Sequence, residues 1–313
     1  MARRIVIKTP SRLHLGIVNP FNKAYRLYIG VAVAVDQPRT ITVIYPDEPL
    51  SIEGCRSEET FTRLKPLIEE YNIKRGKVVI EECVPKHVGL GSTTQLLLSV
   101  AHGLALANNV RTSIPEIAKK VGLGVVSGVG VYVYMYGGFV IDAGKARVTD
   151  FPELLLRLRF PSDWRFLVAI PPGKGLDELS EGKVFERGES VLDELVWQAS
   201  HTLFTELVPS VLESNFDAFS RSLAKFQETV GKMFSTYQGG VFAHYSQEAI
   251  EALKSLGIIG VGQSSWGPTV YGVVNTHEKA VEICKKLAEK LSGVRVLVAK
   301  PQNRGAEVRL LLG

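Results

Sequence analysis

The chain has 313 residues, 45% of them hydrophobic and 22% charged, with a net charge of +5. Those values suit a soluble globular protein of one large or two ordinary domains, and no internal repeat or low-complexity segment interrupts it. The charge is uneven: Arg3, Arg4, Lys8, Arg12, Lys23 and Arg26 all precede the first acid, Asp36. Such a cluster suits an anionic small molecule, and without interleaved aromatics it argues against single-stranded nucleic acid. For Arg3 and Arg4 a solvated strand reads equally well. Cys55, Cys83 and Cys284 are scattered, and neither they nor the histidines fall at zinc-ligand spacing. No structural metal is therefore expected, and a reducing cytoplasm fits. The charged start is not that of a signal peptide. The longest apolar stretch, 125–143, is broken by glycines, Ser127 and Asp142 and does not read as a membrane span.

In chain order, a short strand over 4–8 leads into a bend punctuated by glycine, asparagine and proline. Strands are predicted over 29–35 and 40–45, a helix over 58–71, and a β-branched strand over 77–83. Pro85-Lys-His-Val-Gly-Leu-Gly-Ser-Thr-Thr94 joins that strand to a helix over 94–107, where Leu96, Leu97, Val100 and Leu104 recur at helical spacing. Ser113 and Pro115 open a short helix over 114–121. The Val/Tyr alternation from Val131 to Tyr136 predicts a glycine-rich strand pair over 128–141. A composition change at Phe160-Pro-Ser-Asp-Trp164 divides an N-terminal domain, 1–160, from a C-terminal one, 161–313. In the latter, a strand over 165–170 and a loop over 171–175 precede helices over 191–207, 215–234 and 247–256. Strands over 258–261 and 270–275, a helix over 278–291 and strands over 294–299 and 307–312 close it as an α+β layer. Two intertwined α+β domains are expected.

The 85–94 segment carries the most chemistry. Gly89 and Gly91 remove two Cβ atoms, Ser92 or Thr93 can cap the helix, and amides at the positive end of a helix dipole attract phosphate. No Gly-Lys-Ser/Thr follows the glycines, so this is not a Walker A loop. Taken alone, the pattern fits a glycine turn feeding a capped helix just as well.

Three motifs follow one another along the chain: Pro10-Ser-Arg-Leu-His-Leu-Gly16, the Gly89–Thr94 loop, and a run ending in Gly262-Gln-Ser-Ser-Trp-Gly-Pro268. In this the chain resembles the GHMP superfamily of galactokinase, homoserine kinase, mevalonate kinase and phosphomevalonate kinase. The resemblance implies an N-terminal domain with a left-handed crossover, a ferredoxin-like C-terminal domain, and a phosphate-rich ligand between them. Ser11-Arg-Leu-His14, His87-Val-Gly-Leu-Gly-Ser92, Gly137-Gly-Phe-Val-Ile-Asp142, Phe160-Pro-Ser-Asp-Trp-Arg165 and Gln238-Gly-Gly240 are similar to signatures of the archaeal β-ribofuranosylaminobenzene 5′-phosphate synthase family. That family joins phosphoribosyl pyrophosphate to 4-aminobenzoate or 4-hydroxybenzoate, releasing CO₂ and pyrophosphate, on the way to a methanopterin-type cofactor. One departure stands out. Where the family carries basic residues before its Ser-Gly-x-Gly run, this chain has Leu123-Gly-Val-Val126, which points to another acceptor or to a non-catalytic ligand-binding relative.

Kinases of the mevalonate type use an Asp in a Ser-Gly-x-Asp context to take the proton of the accepting hydroxyl. Here Ser127-Gly-Val-Gly130 has glycine in that place, which favours ribosyl transfer over the alternative, an ATP-dependent small-molecule kinase. Some kinases of the superfamily do without that base. The transferase reading implies sites for a 5′-phosphate, a diphosphate and a benzoate, with Mg²⁺ to neutralise the diphosphate. It assigns phosphate to Lys86, Gly89, Leu90, Gly91, Ser92 and Thr93. Ser11, Arg12, His14, His87 and Asp142 are catalytic candidates, with an ordinary surface role open for His87. Asp142 is either a ligand to Mg²⁺ or ribose, or a turn carboxylate bonding nearby amides. Ser127, Gly128, Gln263, Ser264, Ser265 and Trp266 are substrate-binding candidates; Trp266 either stacks on an aromatic substrate or plugs the domain interface. Small molecules are the expected partners, with a homodimer left open.

Overall fold

The structure, a computed structural model, describes residues 3–22, 24–147, 149–176 and 178–312. Lys23, counted above in the basic cluster, lies outside the described residues. The first half runs β1 (Arg4–Ile17), β2 (Gly30–Pro49), β3 (Ser51–Gly54), α1 (Ser57–Glu70), β4 (Arg75–Glu82), α2 (Ser92–Ala107), α3 (Ile114–Lys120), α4 (Val129–Tyr136), β5 (Phe139–Asp142) and β6 (Leu154–Leu158). The second runs β7 (Arg165–Ile170), α5 (Glu178–Arg187), α6 (Asp193–His201), a π-helical stretch Thr202–Leu207, α7 (Val208–Leu212), α8 (Phe216–Gln238) and α9 (His244–Ser255). It closes with β8 (Val261–Gln263), β9 (Val270–Val274), α10 (His277–Lys290), β10 (Arg295–Ala299) and β11 (Glu307–Leu311).

Seven strands form one sheet in the order β11-β1-β2-β4-β3, with β5 pairing both β2 and β6. The second sheet, β10-β7-β9-β8, is antiparallel throughout. Alternation along β2 sends Val31, Val33 and Val35 into the largest apolar cluster, and Ala32 and Ala34 to the opposite face against α4. Val168 and Tyr271 of the second sheet enter that same large cluster with Phe219 and Phe226 of α8, while Leu167 and Val270 face a separate cluster under α9 and α10. The two sheets therefore share a core built around α8. This brings the β1 strand, the start of α2 and the β8–β9 turn to one place. Among the described residues, no helix is long and apolar enough to cross a membrane.

Three sequence expectations are corrected. The 128–141 segment is not a strand pair: it is α4 followed by β5. Its Val/Tyr alternation carried no information about exposure, because Val129, Val131, Tyr132, Val133 and Tyr134 are all buried. A helix buried all round shows no amphipathic period, so periodicity does not separate helix from strand here. The closing strand does not complete a C-terminal layer, because β11 pairs antiparallel with β1 in the first sheet, Arg4 opposite Leu311. Cys55 and Cys83 are disulfide-bonded, with Cα atoms 6.5 Å apart, so cysteine usage gives no argument for a reducing compartment.

Candidate active site

The glycine loop leaves β4 and enters α2 through left-handed backbone at His87 (φ 59), Gly89 (φ 81) and Gly91 (φ 68). Gly91, not Ser92 or Thr93, is the N-cap, and no side chain caps the helix. The Gln95 amide donates to the Gly91 carbonyl at 3.1 Å. The Ser92, Thr93 and Thr94 amides therefore lie ahead of the helix's first internal bond, as an anion site requires. At Gly89 a Cβ would stand 2.2 Å from the Ser264 carbonyl oxygen, so only glycine lets the two loops touch.

That contact stitches the three motifs together. Ser264 Oγ donates to the Gly89 carbonyl at 2.6 Å and accepts from the His14 amide at 2.8 Å. The Arg12 amide donates to the Leu90 carbonyl at 3.0 Å. Arg12 Nη1 donates to the Gly89 carbonyl at 3.2 Å, while its Nε is buried without a hydrogen-bond partner. Burial pushes the Arg12 guanidinium down to about 10, opposed by the charge of Glu181.

Two chambers meet at this junction. The polar one, about 140 Å³, is lined by His87, Gly89, Gly91, Ser92 and Thr93 among others. The larger one, about 220 Å³, has apolar walls from Leu123, Val125, Val126, Phe185, Phe234 and Trp266. Arg12, Thr94, Glu181, Ser265 and Trp266 line both. Among the described residues Glu181 is the one acidic side chain on either wall. It accepts from Trp266 Nε1 at 2.9 Å. Trp266 stands edge-on to Phe234 and Phe185, at 5.1 and 6.4 Å between ring centres. His14 lies under the larger chamber, its imidazole held well below the ordinary value by burial and by Arg12. It is therefore neutral near pH 7.

Residues 207–293 match the family described as GHMP kinases C terminal. Over 98% of its length the chain is 28% identical to the β-ribofuranosylphenol 5′-phosphate synthase of Methanothermobacter thermautotrophicus, covering 99% of that protein. It is 29% identical to the enzyme of the same name from Archaeoglobus fulgidus, over 97% of this chain and 99% of that one. A homoserine kinase structure from Cytophaga hutchinsonii superposes with a TM-score of 0.68 at 14% identity, over 98% of this chain and 97% of that one. The fold is that of the GHMP kinases. The mixed helix–strand architecture expected from the motifs is thus present.

The GHMP fold gathers Arg12, His14, His87, Gly89, Gly91, Ser92, Thr93, Ser127, Gln263, Ser265 and Trp266 around the two chambers. Other candidates stand back from them. Ser11 Oγ donates to the Pro38 carbonyl at 2.5 Å. Lys86 pairs with Glu59 at 2.8 Å, outside both chambers. Leu90 is buried in the core, and Ser264 is buried as the bridge between loops. Asp142 is fully buried and accepts four bonds, from the Gly30 and Gly144 amides at 2.9 Å and from Ser127 Oγ and the Gly128 amide at 2.7 Å. Burial raises its carboxyl, and these four donors pull it back. It thereby fixes the Ser127–Gly128 turn that borders the larger chamber. Gln263 accepts from the Ala243 amide at 2.8 Å and donates to Gln238 at 3.1 Å and to the Ser265 carbonyl at 3.0 Å, holding the β8–β9 turn. Sequence reasoning missed Glu181 and Arg56. Neither sits in a glycine motif, and α5, which carries Glu181, falls in a stretch with no expected element.

Proposed function

We propose that the chain is a decarboxylating phosphoribosyltransferase, joining phosphoribosyl pyrophosphate to 4-hydroxybenzoate or 4-aminobenzoate with release of CO₂ and pyrophosphate. The observation that carries this is the pair of communicating chambers, unlike in chemistry, that share Arg12. The polar chamber offers helix amides and two hydroxyls to a diphosphate. The larger one offers aromatic walls to a ring. The anomeric carbon would lie between them. Its bond to the diphosphate oxygen breaks, and the electron pair leaves with the diphosphate beside Arg12. The ring carbon that carries the carboxylate forms the new bond, pushed by the para amine or hydroxyl. CO₂ then departs, its bonding pair restores aromaticity, and no net proton is consumed.

The uncharged Leu123–Val126 approach departs from the basic one of the resembled family, yet it does not oppose the loss of CO₂. The side chains of that wall are apolar and solvate a carboxylate poorly, which favours neutral CO₂ over the bound anion, while the Lys145 ammonium is engaged by the Val125 carbonyl. Mg²⁺, when bound, would neutralise the diphosphate. Glu181 is the carboxylate suited to hold it beside the diphosphate's own oxygens; Asp142, already accepting four bonds, is not. The kinase alternative is disfavoured at Gly130, where a Cβ would lie 3.3 Å from Thr94 Cγ2. A carboxylate there needs Thr94 to give way. Incubation with phosphoribosyl pyrophosphate, Mg²⁺ and carboxyl-labelled 4-hydroxybenzoate or 4-aminobenzoate should liberate labelled CO₂. No release with either acid, together with ADP formation from ATP and a hydroxyl acceptor, would replace this reading by the kinase one.

A further inference from the structure

The hydroxyls of the glycine loop also have a partner within the protein. Arg56 is the N-cap of α1, in left-handed backbone at φ 59 and ψ 25. Its Nε and Nη2 grip both oxygens of Glu59, at 3.1 and 3.2 Å. Nη2 also donates to Thr93 Oγ1 at 2.8 Å, and Nη1 reaches Ser92 Oγ at 3.4 Å. Glu59 Oε1 holds Lys86 Nζ at 2.8 Å. The Cys55–Cys83 bridge ties the residue before Arg56 to the end of β4. Arg56 lines neither chamber, whereas Ser92 and Thr93 both line the polar one.

We infer that Arg56 is a positioning residue for the anion site, turning the Thr93 and Ser92 hydroxyl protons toward the polar chamber. A hydroxyl has one proton to donate and two acceptor positions, whereas a guanidinium only donates. With Arg56 on an acceptor position, the O–H cannot point back at it and is left to donate to a ligand on the other side. The bidentate grip of Glu59 fixes the guanidinium plane, so the remaining donors stay aimed at the loop. Burial alone would raise the Glu59 carboxyl, but bonds and charges from Arg56 and Lys86 hold it at about 2, so the pair stays ionised at working pH. A lysine at this position would supply charge without the plane. The inference rests on the polar chamber being the diphosphate site.

The test is calorimetric titration of the full chain with inorganic pyrophosphate, for wild type, Arg56→Lys, Arg56→Gln, Thr93→Val and Arg56→Gln/Thr93→Val. Removing a charge-assisted orienting bond should weaken binding about tenfold in Arg56→Gln and at least threefold in Arg56→Lys. In the Thr93→Val background the Arg56→Gln change should fall to roughly threefold or less, because the main hydroxyl it orients is gone. The same loss in both backgrounds would mean that Arg56 acts without Thr93 and would overturn the inference. So would unaltered binding in either Arg56 variant; Arg56→Lys, which keeps the cation, supplies that answer if Arg56→Gln does not fold. Wild-type chain that binds no pyrophosphate would sink both this inference and the chamber assignment beneath it. Pyrophosphate binding with the expected coupling, but no CO₂ from either benzoate, would leave Arg56 in its role and remove only the proposed reaction.

Discussion

Replacing Arg12 by Gln removes the guanidinium shared by the two chambers while keeping much of its side-chain volume. Within the protein, Arg12 donates from Nη1 to the Gly89 carbonyl, and its buried Nε has no partner. The second Nη1 hydrogen and the two on Nη2 are left for a phosphate group. Each hydrogen bond to a charged group contributes about 1.5–3 kcal/mol, so the loss of two costs about 3–6 kcal/mol. At roughly 1.4 kcal/mol per tenfold, kcat/KM for phosphoribosyl pyrophosphate should fall on the order of 10²- to 10⁴-fold. Glu181, relieved of its opposing charge, would repel the diphosphate further. Folding should be little affected, because a desolvated cation is removed along with a single bond to a carbonyl. The assay is labelled-CO₂ release against phosphoribosyl pyrophosphate concentration, with thermal unfolding measured alongside. A folded variant whose kcat/KM stays within threefold of wild type would refute the reasoning.

Asp142→Asn turns an NH₂ group toward two of the four donors around that side chain. Unfolding by urea should show a loss of about 2–4 kcal/mol, and unchanged stability would contradict the bonding described. Gly89→Ala forces a Cβ to within 2.2 Å of the Ser264 carbonyl in left-handed backbone. Pyrophosphate binding, read by calorimetry, should drop at least tenfold, and wild-type affinity would show that the loops do not touch. His14 supplies a pH dependence. Its folded-state value lies below the unfolded one, so below about 6.5 the unfolded chain binds a proton that the folded chain does not, and stability falls with falling pH. His14→Gln should flatten the decline in melting temperature between pH 7 and pH 5; an equally steep decline would contradict burial of a neutral imidazole.

What could be read from sequence was whatever the backbone itself demands. Gly89 and Gly91 mark left-handed conformations that few other residues adopt, so their place before a helix was visible in advance. Val31 to Val35 alternate because each face of β2 meets a different layer. Where both sides are buried, as around α4, periodicity has nothing to report, and tertiary packing chose helix over strand. The pairing of β11 with β1 joins the two ends of the chain, and no local pattern encodes such a partner. Arg56 and Glu181 resemble any surface charge until the fold sets one behind Thr93 and the other between the chambers. The Cys55–Cys83 bridge was equally hidden, because a scattered pair declares itself only once β4 lies beside the start of α1.

The most direct test of decarboxylating ribosyl transfer is carbon-13 NMR of the product formed from ring-labelled 4-hydroxybenzoate and phosphoribosyl pyrophosphate with Mg²⁺. The predicted result is a carbon–carbon bond from the anomeric carbon to the ring position that lost its carboxylate. A riboside linked through oxygen with the carboxylate retained, or an unaltered ring with phosphoribosyl pyrophosphate left intact, would contradict it.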